Sequence, residues 1–84
     1  MSYNIVIRRS AQKSLSKLPK KDYERVRDAV WKLAENPRPN GYLKLTNRDG
    51  YRIRVGNYRI IYEINDNRIE IIILLIGHRK DIYD

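Results

Sequence analysis

The sequence contains no cysteine and a single histidine, His78, and its carboxylates are not clustered. Without cysteine, neither a disulfide framework nor a thiolate metal site can form. One histidine and dispersed carboxylates argue against a structural zinc site or a two-metal catalytic centre. We therefore expect a protein that works without a metal or another cofactor.

Long apolar runs are also absent. The longest, Ile71 to Ile76, is far shorter than the roughly 20 residues that span a membrane. The first residues lack the charged leader and apolar stretch of a secretory signal. We expect a cytoplasmic protein with no membrane partner, whose residues 1–84 form one domain with a modest core.

Acidic residues are few. Ten Asp and Glu face 18 Lys and Arg, which gives a net charge of +8 and a pI near 10.0. Such an excess on a small surface favours polyanionic partners, namely nucleic acid, ribosomes or an acidic protein. The alternative is that the charge only keeps the protein soluble.

The first half of the chain predicts a strand followed by two helices. Tyr3 to Ile7 alternates and is rich in β-formers. Apolar residues at helical spacing predict a helix over Ala11 to Leu18, capped by Ser10, and a second one over Tyr23 to Leu33 that ends before Pro37. The two amphipathic helices should form a hairpin that packs on a sheet.

The second half predicts that sheet. Alternating runs indicate strands over Tyr42–Leu45, Tyr51–Val55, Tyr58–Ile64 and Arg68–Ile76, and Gly56-Asn57 is a strong signal for a two-residue hairpin turn. The fold class is α+β: an N-terminal strand, a two-helix hairpin, then a largely antiparallel sheet of three to four strands with the helices on one face.

The hairpin register brings like charges together. A two-residue turn pairs Val55 with Tyr58 and Arg54 with Arg59, and Arg52 shares the face of Arg54. Two arginines across a ladder repel each other, but the guanidinium is well matched to phosphate oxygens. The arrangement indicates a phosphate site, unless both side chains simply extend into water.

The same alternation, carried into the last strand, places Ile72, Leu74 and Ile76 on the arginine face, followed by His78. No element of the sequence remains to cover this partly apolar face. We therefore expect it to be functional or to be covered by a partner.

Several stretches together resemble the RelE/ParE superfamily of toxins, and most closely its RelE-type mRNA interferase branch. They are Lys17–Pro19, Asn36–Pro39, Lys44-Leu45, Arg52–Tyr62 and Gly77–Tyr83, together with the N-terminal strand. Each stretch alone is weakly specific, but their order and spacing cover almost the whole chain.

The resemblance implies the toxin of a toxin–antitoxin pair, an endoribonuclease that cuts mRNA on the ribosome and stops translation. In such enzymes the 2′-hydroxyl attacks the adjacent phosphate and the 5′-oxygen leaves, without a metal. The resemblance assigns Arg59 and Arg79 to charge stabilisation, and it places His78 in the glycine-led motif and Tyr83 at the family's late tyrosine. Because arginines stay protonated, His78 and Tyr83 are the expected proton carriers. His78 could instead make a strand-end hydrogen bond, and Tyr83 could stack on a base.

Four further residues are expected to bind RNA, namely Lys44, Arg48, Arg52 and Arg54. The implied partners are mRNA, the ribosome and a short, acidic-leaning, RelB-like antitoxin, with a monomeric toxin inside the toxin–antitoxin complex. Two alternatives remain open at this point: a ParE-like gyrase inhibitor, and a non-catalytic module that binds RNA or ribosomes.

Overall fold

Two helices and five strands follow one another in the predicted order. The structure, a computed structural model, describes residues 2–82. Its elements are β1 (Asn4–Ile7), α1 (Arg9–Ser16), α2 (Lys20–Glu35), β2 (Leu43–Lys44), β3 (Tyr51–Val55), β4 (Tyr58–Asn65) and β5 (Glu70–His78). The α+β class is confirmed.

The strands form one sheet in the order β1-β5-β4-β3-β2. β1 pairs in parallel with β5, and all other pairs are antiparallel. A parallel pair requires a crossover connection, and the helical hairpin lies within it. The N-terminal strand β1 therefore joins the sheet as an edge strand. The sheet has five strands and is larger than the three to four strands expected.

The start of α1 differs from the prediction. Arg8 occupies the position before the helix and makes no side-chain cap, while Ser10 lies inside the first turn. The predicted Ser10 cap is therefore wrong, because the chain enters the helix directly after β1. Gln12 ties this entry down by donating its side-chain amide to the carbonyl of Ile7 at 2.8 Å. Within residues 2–82, neither helix is both long and apolar enough to cross a membrane.

The main core lies between the helices and one face of the sheet. Burying each large apolar side chain there stabilises the fold by about 1.5–3 kcal/mol. Tyr62 is completely buried, and its hydroxyl donates a 2.7 Å hydrogen bond to the carbonyl of Pro37. Burial is the main cause that raises the pKa of the Tyr62 phenol, which therefore stays protonated. The fully buried members are Ala11, Val26, Val30, Leu33, Ile60, Tyr62, Ile71 and Ile73.

A β-bulge in β5 changes which face its last residues occupy. Ile61 pairs with Leu75 but Tyr62 pairs with Ile73, so Leu74 is an extra residue on β5. An extra residue reverses the alternation beyond it. The prediction that Ile76 shares the arginine face is therefore wrong, since Ile76 packs in the main core.

The face of the sheet away from the helices, here called the open face, has a small core of its own. Leu45, Ile61 and Leu74 are buried there, and Ile72 and Ile82 pack against them among others. The expectation of an uncovered apolar face at Ile72, Leu74 and Ile76 is therefore corrected. Leu45, from the loop after β2, and Ile82, from the segment after β5, pack on it.

Candidate active site

The β3–β4 hairpin has the predicted register. Arg54 pairs with Arg59, and Val55 pairs with Tyr58. Gly56 sits in the turn with a φ of 60°, which a glycine adopts without strain. Since Ile53 and Val55 contact the main core, Arg54 and Arg59 project from the open face. Their repulsion destabilises the strand pair by about 0.2–1 kcal/mol. Folding alone therefore gives no reason for two arginines at these positions.

Arg59 is half-buried and only partly satisfied. Its Nη1 donates to the carbonyl of Ile82 at 2.8 Å. Its Nε is buried and has no hydrogen-bond acceptor within the described residues. A buried donor without an acceptor is costly, and a phosphate oxygen is a good acceptor for a guanidinium. Arg59 therefore has the character of an anion-binding residue.

Gly77 allows Ile82, in the segment after β5, to reach Arg59. Gly77 pairs with Arg59 across the β4–β5 ladder. A Cβ atom on Gly77 would come within 2.9 Å of the side chain of Ile82. The absent side chain thus makes room for Ile82 to lie across the strand, which places its carbonyl beside the guanidinium.

The three arginines of the hairpin lie in different environments. Arg54 is exposed, Arg59 is half-buried, and Arg52 is buried with only 6% of its surface accessible. Arg52 is engaged by other groups of the protein and is not free. Arg54 is therefore accessible to a phosphate group from solution, whereas Arg52 is held inside the fold by its contacts.

His78 lies on the helix side of the sheet and not on the arginine face, because the bulge precedes it. It pairs with Tyr58, and the two rings meet edge to face at 5.7 Å. The Tyr58 hydroxyl donates to Asp22 of α2 at 3.1 Å, and burial followed by this hydrogen bond raises the Tyr58 pKa. The prediction that His78 follows Arg54 and Arg59 on one face is wrong.

One ring nitrogen of His78 is already in use. Nδ1 accepts a hydrogen bond from the backbone N–H of Lys80 at 3.2 Å, and the His78 carbonyl accepts from the N–H of Asp81 at 2.8 Å. An acceptor at Nδ1 means that the neutral ring carries its proton on Nε2. Such a ring donates a hydrogen bond from Nε2, and it cannot also accept a proton there. This geometry favours the strand-end role over proton transfer.

Arg79 lies at the same end of the sheet as the arginine pair. It is exposed, and its backbone N–H donates to the carbonyl of Asn57 in the hairpin turn at 2.8 Å. This bond fixes the chain after β5 beside the β3–β4 turn. Tyr83, the remaining predicted catalytic residue, lies outside the described residues.

The two other predicted RNA-binding residues are exposed but lie elsewhere. Lys44 pairs with Tyr51 at the start of β3, about 13 Å from the hairpin turn at the strand rise of about 3.3 Å per residue. Arg48 lies in the loop that follows β2. Lys44 borders a cleft of about 650 Å³ whose lining includes three carboxylates, which does not suit a phosphate. The structure therefore does not join these two residues to the arginine pair.

Two contacts of the site could not be found from the sequence. Asp22 and Tyr58 are 36 residues apart, and Arg59 and Ile82 are 23 residues apart. No sequence motif identifies either pair, because the contacts depend on how α2 and the segment after β5 lie on the sheet. Within residues 2–82, no group of three metal-binding side chains is brought together.

The family model for "ParE toxin of type II toxin-antitoxin system, parDE" matches residues 5–83. The chain belongs to this family, within the RelE/ParE superfamily. This RelE/ParE toxin is 32% identical over 85 residues to Toxin RelG of Mycobacterium tuberculosis, covering 99% of this chain and 98% of RelG. The predicted resemblance is thereby confirmed.

Solved structures agree with this membership. The RelE–RelB complex of Pyrococcus horikoshii contains a chain with a TM-score of 0.81 and 33% identity, covering 98% of this chain and 100% of that one. The RelBE2 toxin–antitoxin complex of Mycobacterium tuberculosis gives a TM-score of 0.83 at 27% identity, covering 94% and 100%. The RelE/ParE toxin described here thus has the fold of RelE-type toxins over nearly its whole length.

Proposed function

We propose that this toxin is a metal-independent endoribonuclease that cleaves mRNA on the ribosome and so inhibits translation. The observation that carries the proposal is the cross-strand pair Arg54–Arg59 on the open face, with a buried, unpartnered Nε on Arg59. Two repelling cations and an unsatisfied donor are unfavourable for folding alone. A bound phosphate removes both penalties.

The arginines have distinct roles in the proposed reaction. The 2′-oxygen attacks phosphorus, a 2′,3′-cyclic phosphate forms, and the bond to the 5′-oxygen breaks. Arg59 and Arg79 stabilise the negative charge that develops on the phosphoryl oxygens, and Arg54 holds the phosphate in place. The permanently charged guanidiniums do not move protons. Tyr83, and His78 if its turn opens, are the proposed proton carriers.

The carbonyl of Ile82 occupies one donor of Arg59. In the proposed complex two phosphoryl oxygens accept from the free Nε and from Nη2, which share one edge of the guanidinium, and an oxygen of the neighbouring phosphate replaces the carbonyl at Nη1. Bidentate binding of this kind is the strong mode of arginine–phosphate recognition. Substrate binding therefore includes a displacement of the chain end from Arg59.

The test is cleavage of mRNA on programmed, translating ribosomes, followed by mapping of the new RNA ends. We expect Arg59→Ala and Arg79→Ala each to lower the single-turnover rate by at least about a hundredfold, the scale of a lost charge-stabilising group. Arg54→Ala should weaken binding more than it lowers the rate. The control is Arg68→Ala, an exposed arginine in the β4–β5 turn. Equal rates for the wild type, Arg59→Ala and Arg79→Ala would refute the proposal.

The second candidate function is inhibition of DNA gyrase, because the family model that matches the chain is that of ParE toxins. A gyrase inhibitor needs no phosphate site on the open face. Loss of supercoiling by purified gyrase, equally with the wild type and Arg59→Ala, would support this function. Ribosomal cleavage with unaffected supercoiling would exclude it.

We also propose a RelB-like, acidic-leaning antitoxin as the partner. Two similar structures are complexes of a toxin with RelB or of the RelBE2 pair, and the chain carries a net charge of +8. β2 pairs only with the first two residues of β3, so residues 53–55 have no strand on that side within the described chain. A groove of about 600 Å³ adjoins this edge and includes Ala29, Leu33 and Ile53.

An extended antitoxin segment could add to this edge by backbone hydrogen bonds and place apolar side chains in the groove. Expression of the toxin alone should stop growth, and co-expression of the short reading frame beside its gene should restore it. If a folded, intact toxin is harmless when expressed alone, the toxin–antitoxin assignment fails.

A further inference from the structure

The positive charge of this chain is concentrated at its N-terminal end. Residues 1–21 contain six Lys and Arg and no Asp or Glu, whereas residues 22–84 contain 12 cations and 10 carboxylates. Most of the net charge of +8 therefore comes from the first quarter of the sequence. None of the six cations forms an ion pair within residues 2–82. All six are exposed, namely Arg8, Arg9, Lys13, Lys17, Lys20 and Lys21.

Three of these cations form a row along α1. Arg9, Lys13 and Lys17 follow at intervals of four residues, so they lie above one another with a rise of about 6 Å between neighbours. Ala11 and Leu15 are buried on the opposite side of the helix. These three residues, here called the α1 cationic row, therefore occupy the centre of its solvent face.

Only Arg9 is unfavourable for the dipole of α1, because Lys13 in the last turn and Lys17 at the C-cap lie where cations are favourable, but the three charges repel one another. The first turn of α1 contains no acidic residue to compensate its dipole. α2 lies in the same layer but mixes the signs: it carries five cations and four carboxylates, and Arg27 pairs with Asp28 at 3.2 Å. A solvent-facing helix of this protein therefore does not require charges of one sign, and solubility alone does not account for the row on α1.

The chemistry of this surface fits phosphates and not a protein interface. The remaining exposed side chains of α1 are polar and uncharged, namely Ser10, Gln12 and Ser16, and such groups also occur at phosphate contacts. Gln12 and Ser16 already donate to the carbonyls of Ile7 and Lys13, so the cations supply most of the attraction. Protein interfaces instead have an apolar or aromatic centre and are depleted in lysine. The large apolar residues that are exposed in the described chain all lie outside α1, namely Val6, Trp31, Leu43 and Ile69.

We propose that the α1 cationic row binds the phosphate backbone of a double-helical RNA segment. α1 packs on β5 from the helix side, whereas Arg59 projects from the open face. An RNA strand at Arg59 would have to pass around the edge of the sheet to reach the row. The row therefore holds a second segment, recognised by backbone and shape and not by sequence. This inference rests on the proposed function in one respect: an RNA-cleaving toxin makes RNA the expected ligand of both faces.

The experiment compares two triple variants with equal net charge. Arg9→Gln/Lys13→Gln/Lys17→Gln removes the row, and Arg27→Gln/Lys32→Gln/Arg68→Gln removes three cations elsewhere. Binding of the full chain to a blunt RNA duplex of about 20 base pairs is measured by fluorescence anisotropy over a range of salt concentrations. A short single-stranded RNA and a DNA duplex of the same length are parallel probes. Thermal unfolding confirms that each variant is folded.

We expect the row variant to bind the RNA duplex at least about tenfold more weakly at about 0.1 M salt, with a log–log salt slope lower by about two to three units. The control variant should keep the wild-type slope within about one unit. Binding of the single strand should depend instead on Arg54 and Arg59. An equal loss in both triple variants would overturn the inference, because it would show only a general charge effect.

Two other outcomes would also overturn it. One is unchanged duplex binding in the row variant together with lost binding to the antitoxin, which would make the row a protein surface. The other is an effect on the DNA duplex but not on the RNA duplex. If the wild type cleaves no RNA but the row variant alone loses duplex binding, the proposed function fails while this inference stands.

Discussion

The same residue type has three different environments in the β3–β4 hairpin. Arg54 is free to meet solvent, Arg59 shares a carbonyl with the chain end, and Arg52 is buried and engaged. The sequence pattern places all three on one face and cannot separate them. If the proposed function holds, we expect from their different burial that Arg54 acts mainly on affinity, whereas Arg59 acts on the reacting phosphate.

His78 allows a test that separates positioning from proton transfer. An asparagine in its place retains an acceptor near that of Nδ1 for the N–H of Lys80, but it does not titrate. If His78 holds the turn after β5, His78→Asn should retain most of the cleavage rate and His78→Ala should lose it. If His78 moves a proton, both variants should fall by about a hundredfold.

The measurement is the single-turnover rate on ribosomes as a function of pH. A positioning role leaves the pH profile of the His78→Asn variant like that of the wild type. Independently, the ¹⁵N shifts of the neutral wild-type ring should show the proton on Nε2. A proton on Nδ1 would contradict the hydrogen bond with Lys80.

Two local features of β5 set the geometry of the site at the scale of elements. The bulge at Leu74 turns Ile76 and His78 toward the helices. Gly77 then leaves the space in which Ile82 lies across the strand and reaches Arg59. Neither feature alters the predicted extent of the strand by much, but together they decide which groups surround the arginine pair.

Gly77→Ala should therefore release the chain end. The new Cβ would meet Ile82 at 2.9 Å, so Ile82 must move, and its carbonyl should leave Arg59. Ile82 is only partly buried against the small core of the open face, so we expect the stability to change little. We expect tighter binding of a short single-stranded RNA by about two- to fivefold, since one competitor for Nη1 is lost.

The matched variant is Ile82→Ala, which removes the clash while keeping the backbone carbonyl. The double variant should show that the two changes are not additive, because the introduced methyl group no longer meets the isoleucine side chain. RNA affinity is measured for all four proteins. Weaker binding in Gly77→Ala would mean that the chain end supports Arg59 and does not compete with the phosphate.

At the scale of the whole molecule, one carboxylate links three distant parts of the chain. Asp66, in the turn before β5, accepts a hydrogen bond from the hydroxyl of Tyr3 at 2.7 Å and another from Arg38 at 3.2 Å. The hydrogen bond from Tyr3, followed by that from Arg38, lowers the pKa of Asp66 below its ordinary value of 3.8. These contacts connect the start of β1, the loop after α2 and the β4–β5 turn.

A lowered pKa has a defined effect on acid stability. The contribution of Asp66 to the free energy of unfolding is fully present above its ordinary pKa of 3.8. It is lost as the pH falls from that value toward the lower pKa of the folded state. The stability difference between the wild type and Asp66→Asn should therefore shrink as the pH falls from about 5 to about 3. Urea unfolding at each pH measures it, with the exposed Asp49→Asn as control. A difference that stays constant over this range would contradict the assignment.

Element order and hairpin register follow from local sequence. Alternation predicts β3 and β4, helical spacing predicts α1 and α2, and Gly56-Asn57 fixes the pairing of Arg54 with Arg59. These features depend on residues that are close in the chain, so the sequence contains the whole signal. The same is true of the charge on α1, since a row at intervals of four residues needs only the helix to exist.

Long-range packing decided what the pattern could not. The extra residue Leu74 reverses the alternation of β5, because a bulge is a property of two strands and not of one. The partners of Tyr58 and Arg59 come from α2 and from the chain end, 36 and 23 residues away. The sequence by itself thus determined the secondary structure, the charge and the family resemblance. Only the tertiary structure decided the burial of Arg52, the face of His78 and the unpartnered donor of Arg59, since each depends on atoms that meet only after folding.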